Sequence, residues 1–271
     1  MFQLSAPMPD LAPTASDDAP ELLLQPPRLP LACLVRRARH DAERCPVLLL
    51  IHGAGGDERA LLPLARALPE GLNLVLPRAP RRMPRGGFMW YPVRFTLDGP
   101  QVRAAQVDSA CAQLAALLRR LPEVLGFAPP RLYLAGFSQG GALAAMLALQ
   151  RPAALAGLAL FGARLLPQLL EGRRRARVPA RRGERRQPRL ENLPVFVAHG
   201  TLDEVLPLHH AALAMRALLR ERARPTLRLH PAHHELTVAM AADFAQWLAP
   251  RAGPLGGLSP RRTPSCGGDA A

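Results

Sequence analysis

Six short apolar runs govern what this chain can fold into: PVLLLIHG (46–53), LNLVLPRAP (72–80), RLYLAGF (131–137), LAGLALFG (155–162), PVFVAHG (194–200) and TLRLHP (226–231). Their apolar residues are continuous rather than alternating. A strand reads this way when both of its faces are covered, as in a parallel sheet. Helical patterns stand between the runs, at 57–68, 102–121, 139–150, 207–223 and 235–248. Strand–helix alternation of this kind winds into an α/β domain with a mostly parallel central sheet and helices on both faces. Segments 21–25 and 29–38 are expected to pair as an antiparallel hairpin at one edge.

A chain of 271 residues, 49% hydrophobic, can bury a full core in a single domain, expected over 21–249. Residues 1–20 and 250–271 are rich in Pro, Gly, Ser and Ala and are expected to be disordered. Residues 164–193 form a long basic connection between two strands, the signature of an insert or lid loop.

The formal charge of +14 is carried by Arg alone, with no Lys, and Arg173 to Arg189 holds nine Arg against one Glu. A solvated loop accounts for that stretch, and no aromatic side chains are interleaved to stack on bases, so no nucleic-acid partner is expected. The insert could also steer acidic substrates electrostatically. Cysteines at 33, 45, 111 and 266 have neither metal-ligand nor redox spacing. Free thiols in a reducing compartment follow, hence a cytoplasmic location, and no metal. The first twenty residues lack the basic and apolar regions of a signal peptide. Residues 132–150 are uncharged, but Gly136, Ser138, Gln139, Gly140 and Gly141 interrupt them, so no integral membrane segment is expected.

The interruption carries the chemistry. Gly136-Phe137-Ser138-Gln139-Gly140 fits G-x-S-x-G, placed where a strand ends and a helix begins. On such a sharp turn, side chains two residues before and after the serine would collide, and glycine at both places removes them. The serine oxygen is then held above the sheet, at a helix N-terminus that favours negative charge. A serine needs a base, and the base needs an orienting carboxylate. In this topology the order is Ser, acid, His, each in a loop after a strand. HGTLDEVLP follows one strand and offers Asp203 and Glu204; HPAHHEL follows the next and offers His230, His233 and His234. Ser138, Asp203 and His234 satisfy the order. The developing oxyanion needs N–H donors, one from Gln139 and one from the glycine-rich loop HGAGGDE (52–58), assigned to Ala54.

These pieces, with LPRAP (76–80) and GGFMWYP (86–92), run in one order from about 45 to 248. Together they resemble the phospholipase/carboxylesterase family of α/β-hydrolases, which includes bacterial carboxylesterases and acyl-protein thioesterases. The resemblance implies the α/β-hydrolase fold and a serine esterase that uses no cofactor. Its nucleophile falls on Ser138, its aspartate on Asp203, its histidine on His234 and its oxyanion donors on Ala54 and Gln139. His233 stands where the family commonly has glycine, which leaves His233 as the alternative base. Phe161-Gly162 stands where Ser-Gly is common.

Trp90 and Tyr91 either line the acyl pocket or pack a loop. His52 and His199 are read as structural, hydrogen-bonding the loops of Ala54 and Asp203. Asp57 is expected to cap the helix at 57–68, Glu235 to sit in the first turn of the last helix, and His209 and His210 to begin an exposed helix. The expected activity is hydrolysis of small-molecule carboxylic esters, or thioesters, of short to medium acyl chains through an acyl-enzyme. A peptidase or depolymerase on the same residues, or an inactive fold kept as a binding module with an Arg-rich contact loop, are the alternatives. A homodimer is left open.

Overall fold

The structure is a computed structural model of the whole chain. It describes residues 21–24, 29–96, 99–126, 131–150, 155–166 and 190–252. The flanking segments expected to be disordered, apart from 250–252, and the nine-Arg stretch lie outside the described residues.

Eight strands of the described residues form one sheet. They are β1 (Glu21–Leu24), β2 (Cys33–Arg36), β3 (Val47–Ile51), β4 (Asn73–Pro77), β9 (Leu132–Phe137), β10 (Leu155–Phe161), β11 (Pro194–Gly200) and β12 (Arg224–His230). Their order is β1-β2-β4-β3-β9-β10-β11-β12. From β4 to β12 every pairing is parallel; β1–β2 and β2–β4 are antiparallel. The hairpin expected at one edge is therefore present, and it joins the parallel part through β2. Two short ribbons stand apart: β5 (Arg81–Arg82) with β6 (Phe88–Met89), and β7 (Arg94–Thr96) with β8 (Gly99–Gln101).

Five described helices cover the sheet: α1 (Leu62–Arg66), α2 (Ala104–Leu125), α3 (Gln139–Gln150), α4 (His209–Arg220) and α5 (Val238–Ala252). Successive strand residues point to opposite faces, which explains the continuous apolar runs. Val47, Leu49 and Ile51 of β3 join one buried cluster with α2, α3 and α4. Leu48 and Leu50 join the other, with α1 and α5. Phe161, Phe196, Phe244 and Trp247 stack in the second cluster at centroid distances of 5.3–5.9 Å.

Several expectations need correction. The run at 226–231 does not have both faces covered. β12 is an edge strand, with Arg224, Arg228 and Leu229 exposed. Arginine and Pro225 on an open edge discourage pairing with another chain. The helix expected at 57–68 is reduced to α1. Asp57 does not cap it: Asp57 Oδ1 accepts the Arg59 N–H at 2.9 Å, and a local turn of that kind competes with helix. The second helix runs past its expected end through Pro122, because Leu121 and Leu125 remain buried, and stops at Gly126 with φ of 82°. Glu235 precedes α5 instead of entering its first turn; Thr237 caps that helix, its Oγ1 accepting the Met240 N–H at 3.2 Å. The last helix also continues to Ala252, into the expected tail. Cys33, Cys45 and Cys111 are buried and stand outside any disulfide, and burial pushes the Cys33 thiol up to about 12. Among the described residues, no helix is long and apolar enough to cross a membrane.

Candidate active site

In a parallel sheet all strand C-termini open on one edge, and loops there converge. The loops after β3, β9, β11 and β12 carry Ala54, Ser138, Asp203 and His234 respectively.

Ser138 links β9 to α3 with φ of 53°, a left-handed conformation that an L residue holds only under constraint. Its N–H donates to Phe161 O at 2.9 Å and its carbonyl accepts from Ala142 N–H at 3.1 Å, so both sides of the turn are fixed. The two motif glycines do different work. A Cβ on Gly136 would strike the Gly140 backbone, the strand–helix collision expected. A Cβ on Gly140 would strike the carbonyls of Ile51 and His52, at the end of the neighbouring strand β3. Gly140 thus lets α3 dock against the strand that leads into the Ala54 loop.

His234 Nε2 lies 2.9 Å from Ser138 Oγ, and His234 Nδ1 lies 2.7 Å from Asp203 Oδ2. A carboxylate only accepts, so Nδ1 donates to it and Nε2 is left to accept from the serine hydroxyl. Asp203 Oδ1 accepts the N–H groups of Val205 at 3.0 Å and Leu206 at 2.7 Å. Burial works against the Asp203 charge, but the His234 and Leu206 hydrogen bonds outweigh it and hold the carboxyl below its usual range. The Phe137 ring lies against the imidazole of His234, centroids 5.0 Å apart. His233 and Glu204 are exposed, and neither takes part in this hydrogen-bonded line.

His199 is fully buried at the end of β11. Its Nε2 donates to Leu206 O at 2.7 Å and stands 3.5 Å from Asp203 Oδ2, while its Nδ1 has no hydrogen-bond partner among the described residues. It braces the turn that presents Asp203. His210 is half-buried rather than part of an exposed helix start, and burial, with His209 and Arg164 nearby, lowers its pKa to about 4.

His52 does the corresponding work for the Ala54 loop. Its Nε2 accepts Ala79 N–H at 3.0 Å, so Nδ1 carries the proton and donates to Gly53 O at 2.6 Å. Burial drives its pKa down to about 4. The loop is also paired to β6: Gly55 N–H donates to Phe88 O at 2.8 Å, and Phe88 N–H to Gly56 O at 2.9 Å. Ala54 N–H meets no acceptor among the described residues, and Gln139 N–H is the first of α3 and has none within the helix.

Trp90 and Tyr91 are 1% and 3% exposed. Trp90 Nε1 donates to His52 O at 2.8 Å behind the Ala54 loop, and both side chains belong to the core, which is the loop packing that was one of the two placements expected for them. The residue that sequence reasoning undervalued is Gln139. Its side chain is buried, with Oε1 accepting Trp90 N–H at 2.8 Å and Nε2 donating to Tyr91 O at 2.7 Å. A long amide flanked by small residues in an apolar stretch was the available signal. Among the described residues, no group of His, Cys, Asp and Glu side chains could hold a metal ion.

The fold is shared with solved structures. A carboxylesterase from Mesorhizobium loti superposes with a TM-score of 0.68 at 24% identity, the match covering 84% of this chain and 98% of that one. A carboxylesterase from Bacillus cereus gives 0.66 at 22% identity, covering 82% and 94%. The esterase PE8 gives 0.64 at 23%, covering 80% and 96%. The sequence profile described as Phospholipase/Carboxylesterase matches residues 37–249, most of the chain. On that match this α/β-hydrolase chain belongs to the phospholipase/carboxylesterase family.

Proposed function

We propose that this family member is a serine esterase that cleaves small-molecule carboxylic esters, with thioesters as close alternatives, through an acyl-enzyme at Ser138. One observation carries the proposal: the hydrogen-bonded line from Asp203 through His234 to Ser138 Oγ, with bonds of 2.7 and 2.9 Å.

Ser138 Oγ attacks the carbonyl carbon while its proton passes to His234 Nε2. Asp203 keeps the Nδ1 proton in place and stabilises the imidazolium. The carbonyl oxygen becomes an oxyanion facing the N–H groups of Ala54 and Gln139. The tetrahedral intermediate collapses, and the leaving oxygen or sulfur takes the proton from His234. Water then attacks the acyl-enzyme, giving its proton to His234 and releasing the acid and Ser138. Short to medium acyl chains are the preferred substrates in this proposal.

Hydrolysis of p-nitrophenyl esters from acetate to palmitate, by wild type and Ser138→Ala, tests it. Turnover by wild type and a loss of about three or more orders of magnitude in the variant is the expected result. Equal rates in the two proteins would sink the assignment, and a maximum at palmitate would overturn the acyl-length preference.

A further inference from the structure

Segment 88–91 is hydrogen-bonded to Gln139 and to the loop residues on either side of Ala54, the two places proposed to supply the oxyanion donors. On one side, Phe88 exchanges two backbone hydrogen bonds with Gly55 and Gly56, next to Ala54. On the other, the Gln139 carboxamide takes the Trp90 N–H and gives a hydrogen to the Tyr91 carbonyl. Between them, the Trp90 indole N–H holds His52 O, at the base of the Ala54 loop. Gln139 is thus bound twice into this arrangement, once as the first residue of α3 and once through its side chain.

We infer that residues 88–91 form a strap that sets the distance between the two oxyanion donors, with the Gln139 carboxamide and the Trp90 indole N–H as its positioning groups. The inference rests on the proposed esterase mechanism. The physical need is plain. The donors come from loops after two different strands, and strand pairing fixes their roots but not their tips. Ala54 is flanked by glycines that give the loop no stiffness of its own. A preorganised donor pair stabilises the oxyanion without reorganising during reaction, and a displacement of about 1 Å can cost on the order of a hundredfold in rate. An amide suits the Gln139 position because its two ends differ. It must accept from one backbone group and donate to the next, which neither a carboxylate nor an apolar side chain does.

Gln139→Met keeps the length and the backbone N–H but removes both side-chain hydrogen bonds. Trp90→Phe keeps an aromatic ring and removes only the indole N–H. Since the oxyanion exists only past the ground state, each variant should lower kcat with KM nearly unchanged, Gln139→Met by about tenfold and Trp90→Phe by about threefold. The double variant should lose less than the product of the two, because both act on one strap. Amide exchange should quicken at Trp90, Phe88 and Gly55 in Gln139→Met and stay unchanged at Ser138, whose N–H is held by Phe161 O. Wild-type inactivity on every ester would fell the esterase mechanism, and this inference with it, before any variant is compared. Unchanged kcat in both variants, with faster exchange at Trp90, would overturn the strap alone. So would losses confined to KM, or fully multiplicative losses. If Gln139→Met fails to fold, Trp90→Phe alone decides by the same kcat criterion.

Discussion

Asp203 and His234 meet through a single oxygen and a single nitrogen, Oδ2 to Nδ1 at 2.7 Å, while the other Asp203 oxygen is occupied by the N–H groups of Val205 and Leu206. The carboxylate therefore cannot be replaced by an amide without a conflict. In Asp203→Asn the oxygen will stay with the two backbone donors, and the NH₂ will face His234 Nδ1. That turns the imidazole into the wrong tautomer, with its proton toward Ser138. A fall in kcat of about 10³–10⁴ with little change in thermal midpoint is expected. An unchanged kcat would mean that Asp203 does not orient the base.

The two adjacent histidines should separate cleanly. His233 is exposed, whereas His234 touches Ser138 and Asp203. His233→Ala should leave kcat/KM within about twofold, and His234→Ala should reduce it by about three orders of magnitude or more. Steady-state kinetics on one ester suffices, and the reverse ranking would move the base to His233.

Gly140→Ala should be worse tolerated than an alanine in an ordinary helix, where it would stabilise. Its Cβ would meet the Ile51 and His52 carbonyls, which are backbone and have nowhere to go. Overpacking of this kind destabilises by about 1–3 kcal/mol. Here it would also push α3 away from β3, so denaturant titration and kcat should fall together. A fully stable, fully active variant would contradict the contact.

Stability should depend on pH through His52. Its folded pKa of about 4 lies below the ordinary 6.5 because the buried ring is held neutral. Between these values the unfolded chain binds a proton that the folded one does not, so stability is complete above about 6.5 and declines as pH falls toward 4. The full difference is on the order of 3 kcal/mol. His52→Gln should be less stable at pH 7, and its stability should fall less between pH 6.5 and 4.5. Parallel pH curves for the two proteins would show that His52 is not the group responsible.

Much of this was legible in the sequence, for identifiable reasons. Burial on both faces forces residues such as Val47 to Ile51 to be apolar in succession, so β3, β4, β9, β10 and β11 announce themselves. Gly136 and Gly140 mark the turn because sterics leave no alternative there. What did not show depends on partners distant in the chain. The edge position of β12 follows from having no described strand outside it, which its own residues state weakly. Asp57 reads as a cap until its hydrogen bond to Arg59 is seen. Trp90 and Gln139 are 49 positions apart, and neither segment alone reveals that one side chain closes the other's backbone.

The pairing of β10 with β11 has a consequence for how such a chain can diversify. The two strands are adjacent and in register from Leu158 with Val195 to Phe161 with Ala198. The long basic connection leaves after the first and returns before the second. Ser138, Asp203 and His234 follow β9, β11 and β12, strands whose pairings with β10 and with each other are fixed residue by residue. Strand pairing fixes where the chain leaves the sheet and where it returns, and a longer surface connection between two fixed ends costs little extra closure entropy, so its length can change without shifting the register of β10 with β11.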